Sequence, residues 1–184
     1  MLYKKLSFEQ LRFTEEDRIY FTDKFSNSSN SIGYGTTVHK SKVNSSFLNY
    51  IYDLIPYCKD TFMIIKGIKD SDDINIPGRH IHSDDRLSAI NIPLINCKEG
   101  ADTVFYKPET LKNISFPNPT NSTIFLKQEN VLPLEIGRFT LTMDSAYLLN
   151  TSIPHCKIQT YNEYRMLLSI SIDLSFQEAT NYFE

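Results

Sequence analysis

Residues 164–172 read YRMLLSISI, and the two alternating sets of positions differ in character. Met166, Leu168, Ile170 and Ile172 form one set, while Arg165, Leu167, Ser169 and Ser171 form the other. Side chains alternate across a β-strand, so this segment predicts a strand with one wholly apolar face. Its second face mixes small, polar and cationic groups. Residues 88–94 repeat the pattern, with Ile90, Ile92 and Leu94 on one side and Ala89 and Asn91 on the other. An arginine among serines on such a face suggests the interior of a barrel that holds a polar ligand. A polar side turned to solvent accounts equally well for the two serines.

The other apolar runs are short and rich in β-branched and aromatic residues, which favour strands. Strands are expected at 61–68, 86–95, 102–106, 122–127, 138–143, 146–150 and 164–172, punctuated by Pro, Gly, Asn and Asp. One helix is clear. Phe47, Leu48, Ile51, Leu54 and Ile55 repeat with the period of a buried helical face, with Ser45 or Ser46 as the cap and Pro56 as the stop. The first fifteen residues are read as a further helical part. Many short strands with helices at the N-terminal end predict a mainly β sandwich or barrel carrying helices outside it. Segments 24–46 and 107–122, crowded with Ser, Asn, Gly or Pro, read as long loops.

The chain has 184 residues, a length that suits one domain over 1–184. A net charge of −3 gives no broad basic field, so no nucleic-acid or anionic membrane partner is expected. Cys58, Cys97 and Cys156 are an odd, scattered set, which fits a reducing cytoplasm better than a disulfide framework. No stretch approaches the roughly 18–20 apolar residues of a membrane span. Composition says nothing about oligomeric state.

Candidate chemistry gathers in R-H-I-H-S-D-D-R at 79–86, where His80, His82 and Asp84 alternate. A strand end followed by a turn can aim a His and an Asp two residues apart at one point. His155, in LLNTSIPHCKI, is the candidate for a third ligand. Two imidazoles and a carboxylate on one face of an octahedral ion are the donor set of non-haem Fe(II), with positions left open. A rival pairing of His80 with His82 is open on geometry alone. Arg165 lies ten residues after His155, and its planar fork matches a carboxylate with two hydrogen bonds.

His82-Ser83-Asp84, His155 and Arg165 together resemble the H-x-D…H…R signature of Fe(II)/2-oxoglutarate-dependent oxygenases. HSDDRLSAINIPLINCKEGADTVFY and DSAYLLNTSIPHCKIQTYNEYRMLLSISI are similar to the two core blocks of small bacterial and phage oxygenases related to prolyl and aspartyl/asparaginyl hydroxylases. The resemblance covers roughly 79–175 and implies a double-stranded β-helix, or jelly roll, with a catalytic core at about 60–175. It implies that His82, Asp84 and His155 bind Fe(2+) and that Arg165 anchors 2-oxoglutarate. It further implies a hydroxylase that uses O2 and releases succinate and CO2. Many relatives place Ser or Thr two residues after the arginine. Here that position is Leu167, and Ser169, of the same strand parity, is the candidate substitute.

Asn91 is a candidate contact to the keto-acid or the substrate, and His80 and Arg86 are candidates for the substrate pocket. Tyr106 and Tyr147 read as core, and Cys156 as packed. The expected substrate is an amino-acid residue, a free amino acid or another small metabolite. Two other readings stand beside this one: a cupin-type metalloprotein acting without 2-oxoglutarate, and a non-catalytic binding module on the same fold.

Overall fold

The computed structural model describes residues 1–26, 35–67, 79–83, 86–107, 122–126 and 135–184, with the backbone alone for 35, 79–83 and 122–126. Eleven strands are described: β1 (Tyr3–Leu6), β2 (Gly35–His39), β3 (Cys58–Gly67), β4 (Arg79–Ser83), β5 (Ser88–Ile95), β6 (Ala101–Tyr106), β7 (Ser122–Leu126), β8 (Glu135–Thr140), β9 (Ala146–Leu149), β10 (His155–Gln159) and β11 (Arg165–Ile172). The helices are α1 (Phe8–Leu11), α2 (Glu15–Ser26), α3 (Ser46–Leu54) and α4 (Phe176–Thr180). None of the described helices is long and apolar enough to cross a membrane.

The strands form two antiparallel sheets, ordered β1-β9-β5-β11-β3-β2 and β7-β4-β10-β6-β8. The pairings β3 with β11, β4 with β10, β5 with β9 and β6 with β8 nest inside one another. They are the rungs of one long hairpin, rolled so that β5 also meets β11 and β6 also meets β10. That arrangement is a double-stranded β-helix, the jelly roll. Rolling the hairpin sets consecutive strands into opposite sheets from β3 to β6 and again from β8 to β11.

The alternation in β11 separates two cores. Met166, Leu168, Ile170 and Ile172 pack with Ile90, Ile92, Phe62 and Ile64 on the outer face of the first sheet. That face is covered by Leu11, Phe13, Phe21, Phe25, Phe47, Leu48 and Ile51 from the helical part. Leu167, from the other set, joins Tyr147, Leu149, Phe105 and Phe139 in a smaller cluster between the sheets. Burial of the outer face is the larger apolar gain, and the inner face is left able to carry polar groups.

Several boundaries differ from expectation. Residues 3–6 form a strand on β9 and not the start of a helix, because Tyr3 to Leu6 complete the ladder beside Leu149 to Ala146. Helix α2 runs from the end of the part read as helical through residues left unassigned into the expected loop at 24–46, and strand β2 lies within that loop. α2 has almost no apolar periodicity, but Thr14 and Asp17 cap each other at its start, with Thr14 N–H donating to Asp17 Oδ2 at 3.0 Å. β2 borrows its order from β3, whose residues Thr61 to Ile65 it pairs. β8 runs three residues earlier than expected, since its ladder with β6 spans Glu135 to Thr140. Helix α3 starts as expected, with Ser45 Oγ accepting from Leu48 N–H at 3.2 Å. The greater part of the loop expected at 107–122 lies outside the described residues, as do 27–34 of the loop expected at 24–46.

Candidate metal and keto-acid site

Strand β10 begins at His155, which stands opposite His82 of β4 on one side and Phe105 of β6 on the other. Directly opposed positions in an antiparallel ladder share one face of the sheet. The two histidine positions, 73 residues apart in sequence, are thus cross-strand neighbours. His80 lies two residues further along β4, opposite Phe125 of β7. Asp84 lies outside the described residues, as do the side chains of His80 and His82.

The His155 ring is buried, and its Nδ1 lies 2.8 Å from the Ile153 carbonyl oxygen. A carbonyl can only accept, so Nδ1 carries the proton, and in the neutral ring Nε2 keeps the lone pair. The Phe105 ring, centred 6.0 Å away, flanks the imidazole. Such a hydrogen bond on the far nitrogen is how metal-binding histidines are held in one tautomer and orientation.

Along the strand from His155, Lys157 and Gln159 follow on the same face. Arg165 starts β11 in the other sheet and is 3% exposed, opposite Gly67 of β3. The two sheets meet here. A Cβ at Gly67 would lie 2.7 Å from Lys157 Nζ, 3.1 Å from Gln159 Oε1 and 3.2 Å from Arg165 Nε. Glycine is the residue that lets these three polar ends close on the backbone of β3. Gln159 Nε2 also donates to the carbonyls of Tyr161 at 3.1 Å and Glu163 at 2.7 Å. Asn96 Nδ2 donates to the Tyr164 carbonyl at 2.9 Å, and Tyr161 OH donates to the Asn96 carbonyl. The turn that delivers Arg165 to β11 is pinned from both ends.

The charge of Arg165 is felt at Cys97. Burial pushes the Cys97 thiol up to about 11, while Arg165 and Arg18 pull in the opposite direction. Cys97 Sγ lies 3.7 Å from the Met166 carbonyl oxygen and remains a packed thiol.

A second polar group sits further along the inner face of the first sheet. Arg86 Nη1 donates to Ser169 Oγ at 3.2 Å and lies 3.9 Å from Met63 Sδ. Asn91 pairs in register with Ser169 and with Tyr147. Its Oδ1 is buried without a hydrogen-bond partner among the described residues. Tyr106 and Cys156 are fully buried against each other, Oη to Sγ 3.2 Å, as packing and not as lining. Of the residues expected at the site from sequence, Arg165, Ser169 and Asn91 lie in strands of the first sheet, and Arg86 lies two residues before β5. Lys157, Gln159 and Gly67 were not among those expected. The signal for the first two was their parity with His155 in H-C-K-I-Q, hidden because β10 was not recognised as a strand.

No protein-family model matches the chain, and no curated protein matches it by sequence. Solved structures share its fold. One is the epimerase SnoN in complex with Fe3+, alpha ketoglutarate and nogalamycin RO, with a TM-score of 0.55 at 10% identity over 93% of this chain and 78% of that one. Another is HygX from Streptomyces hygroscopicus with iron bound, with a TM-score of 0.50 at 9% identity over 92% of this chain and 81% of that one. SnoN is a non-haem alpha ketoglutarate dependent epimerase. This chain therefore shares the fold of SnoN and HygX, and at these identities the likeness is one of fold.

Proposed function

We propose that the protein is an Fe(II)- and 2-oxoglutarate-dependent oxygenase in one domain, a hydroxylase of an amino-acid residue, a free amino acid or another small metabolite. The observation that carries this reading is the register that sets His155 opposite His82, with Arg165 meeting β10 side chains from the other sheet. The donor set fits: His82 and His155 would supply imidazole nitrogens and Asp84 a carboxylate, a combination suited to Fe(II) with open positions. Arg165 would hold the distal carboxylate of 2-oxoglutarate, and Asn91, with Ser169 beside it holding Arg86, would add a polar contact.

Bound iron and 2-oxoglutarate would supply oxidative decarboxylation by dioxygen, coupled to attack on an unactivated C–H bond, with succinate and CO2 released. The chain's own part is positioning. The Ile153 carbonyl holds His155 with Nε2 free of its proton and makes the ring a better donor. Leu167, Phe105, Phe139, Tyr147 and Leu149 keep water from the space between the sheets. Arg86, oriented by Ser169, would pair with an acidic group of the substrate, and His80 would border the entrance.

The test is succinate formation by protein reconstituted with Fe(II), given 2-oxoglutarate, dioxygen and a panel of amino acids and peptides. Succinate that depends on iron, together with a product heavier by one oxygen atom, is expected. Succinate with a substrate of unchanged mass would replace hydroxylation with another outcome of C–H attack, such as inversion. No 2-oxoglutarate binding and no turnover would overturn the reading in favour of a binding module or another cupin-type chemistry.

A further inference from the structure

We infer that Lys157 is a second carboxylate-binding group of the keto-acid site, acting with Arg165 across the space kept open by Gly67. The inference rests on the reading of the site as one for 2-oxoglutarate. Lys157 Nζ and Arg165 Nε both come into contact range of one point above Gly67. They therefore lie within about 6 Å of each other, a spacing at which two like charges repel appreciably inside a protein. A lysine from one sheet and a buried arginine from the other thus bring N–H donors to one place, where the two oxygens of a carboxylate can accept from both. A carboxylate is the ligand chemistry that such converging donors recognise.

Position along the strand agrees. Lys157 is two residues from His155, about 7 Å at the rise of a β-strand. A five-carbon dicarboxylate with its keto-acid end beside His155 would bring its distal carboxylate to that distance. Ser169, by contrast, is four residues from Arg165, about 13 Å along β11, and its hydroxyl accepts from Arg86. Leu167, at the position where a hydroxyl would share the carboxylate with the arginine, lies in the apolar cluster between the sheets. Lys157 fills that role from the opposite sheet, and Gln159 tethers the adjoining turn.

The experiment compares two keto-acids, 2-oxoglutarate and 2-oxopentanoate, the second lacking only the distal carboxylate. Calorimetric titration under nitrogen into the Mn(II)-loaded full chain would be run for the wild type, Lys157→Met, Lys157→Arg and Arg165→Met. If Lys157 meets the distal carboxylate, Lys157→Met weakens 2-oxoglutarate by about 10- to 100-fold, the usual loss for a hydrogen bond to a charged group. It leaves 2-oxopentanoate unchanged, and Lys157→Arg recovers most of the difference. Equal weakening of both ligands, or an unchanged 2-oxoglutarate affinity, would overturn the role of Lys157 while leaving the oxygenase reading intact. A wild type that binds Mn(II) but neither keto-acid would overturn that reading, and this inference with it.

Discussion

His155 stands directly opposite His82 in the β4–β10 ladder, and this is that ladder's one described register pair. The relationship sets His82 apart from His80, whose rival pairing with His82 is left open by strand geometry in the sequence. His155→Ala and His82→Ala should each abolish Fe(II) or Mn(II) binding, measured as metal retained per chain after desalting. The loss should exceed the roughly 10- to 100-fold that follows when only an orienting partner is removed. His80→Ala should keep the metal. Metal retained by His82→Ala and lost by His80→Ala would reverse the assignment.

Binding of the metal to the folded chain alone would raise stability by about 2.7 kcal/mol at a free concentration a hundred times Kd. Chelation should therefore lower Tm in the wild type and leave Tm of His155→Ala where it was. A wild type whose Tm ignores both Mn(II) and chelator would argue against a metal centre.

Gly67→Ala should separate ligand binding from stability. The added methyl would lie 2.7 Å from Lys157 Nζ and 3.2 Å from Arg165 Nε, both on flexible side chains that can swing aside. The fold should lose no more than the ~1–3 kcal/mol typical of overpacking. Affinity for 2-oxoglutarate should fall by tenfold or more, because the two cations are displaced from their common point. Titration of the Mn(II)-loaded variant, beside a thermal melt, checks both halves.

Ser45 is buried and its Oγ accepts from Leu48 N–H, whereas Ser46 is exposed. Ser45→Ala should cost about 1 kcal/mol of unfolding free energy, the usual loss of an N-cap. Ser46→Ala should stay within about 0.5 kcal/mol of the wild type, as surface substitutions do. Urea denaturation of the two variants decides between the caps that sequence alone offered.

Stability should decline in alkali. Burial pushes the Cys97 thiol up to about 11, and burial together with Asp173, partly opposed by Lys40, pushes Cys58 up to about 12. Below their ordinary value of 9.0 both thiols are protonated in the folded and unfolded chains alike. Above it the unfolded chain loses these protons first and is favoured, so stability falls as pH rises from 9 through 11. Thermal melts over pH 7 to 11 should show the decline, and Cys97→Ala should lessen its slope. A slope unchanged in that variant would show that Cys97 is not its source.

The sheets were legible where apolar and polar positions alternate cleanly, whereas the jelly roll was implied by the resemblance to oxygenases. In β11 the set of Met166, Leu168, Ile170 and Ile172 was assigned to one face, and it packs under the helices. Helix α3 was legible for the same reason, since Phe47, Leu48 and Ile51 recur at the helical period and all are buried. α2 was missed because its residues EEDRIYFTDKFS carry little periodicity, with only Phe21 and Phe25 buried. β1, β2 and β10 were missed because short polar strands owe their order to hydrogen bonds with β9, β3 and β6. Those partners are distant in sequence, and local propensity carries no record of them.

The sequence by itself determined the chemistry on offer. His82 with Asp84 and His155 with Arg165 are two short-range pairs of the fitting residue types, and alternation told which face of β11 carries Arg165. Only the tertiary structure decided which groups meet. The rolled hairpin sets His155 against His82 and brings Lys157 and Gln159 over Gly67 beside Arg165. The physical reason is that register between strands is fixed by ladders closing over long loops and by burial of one face. A change of one residue in that register would turn each of these side chains to the other face of its sheet.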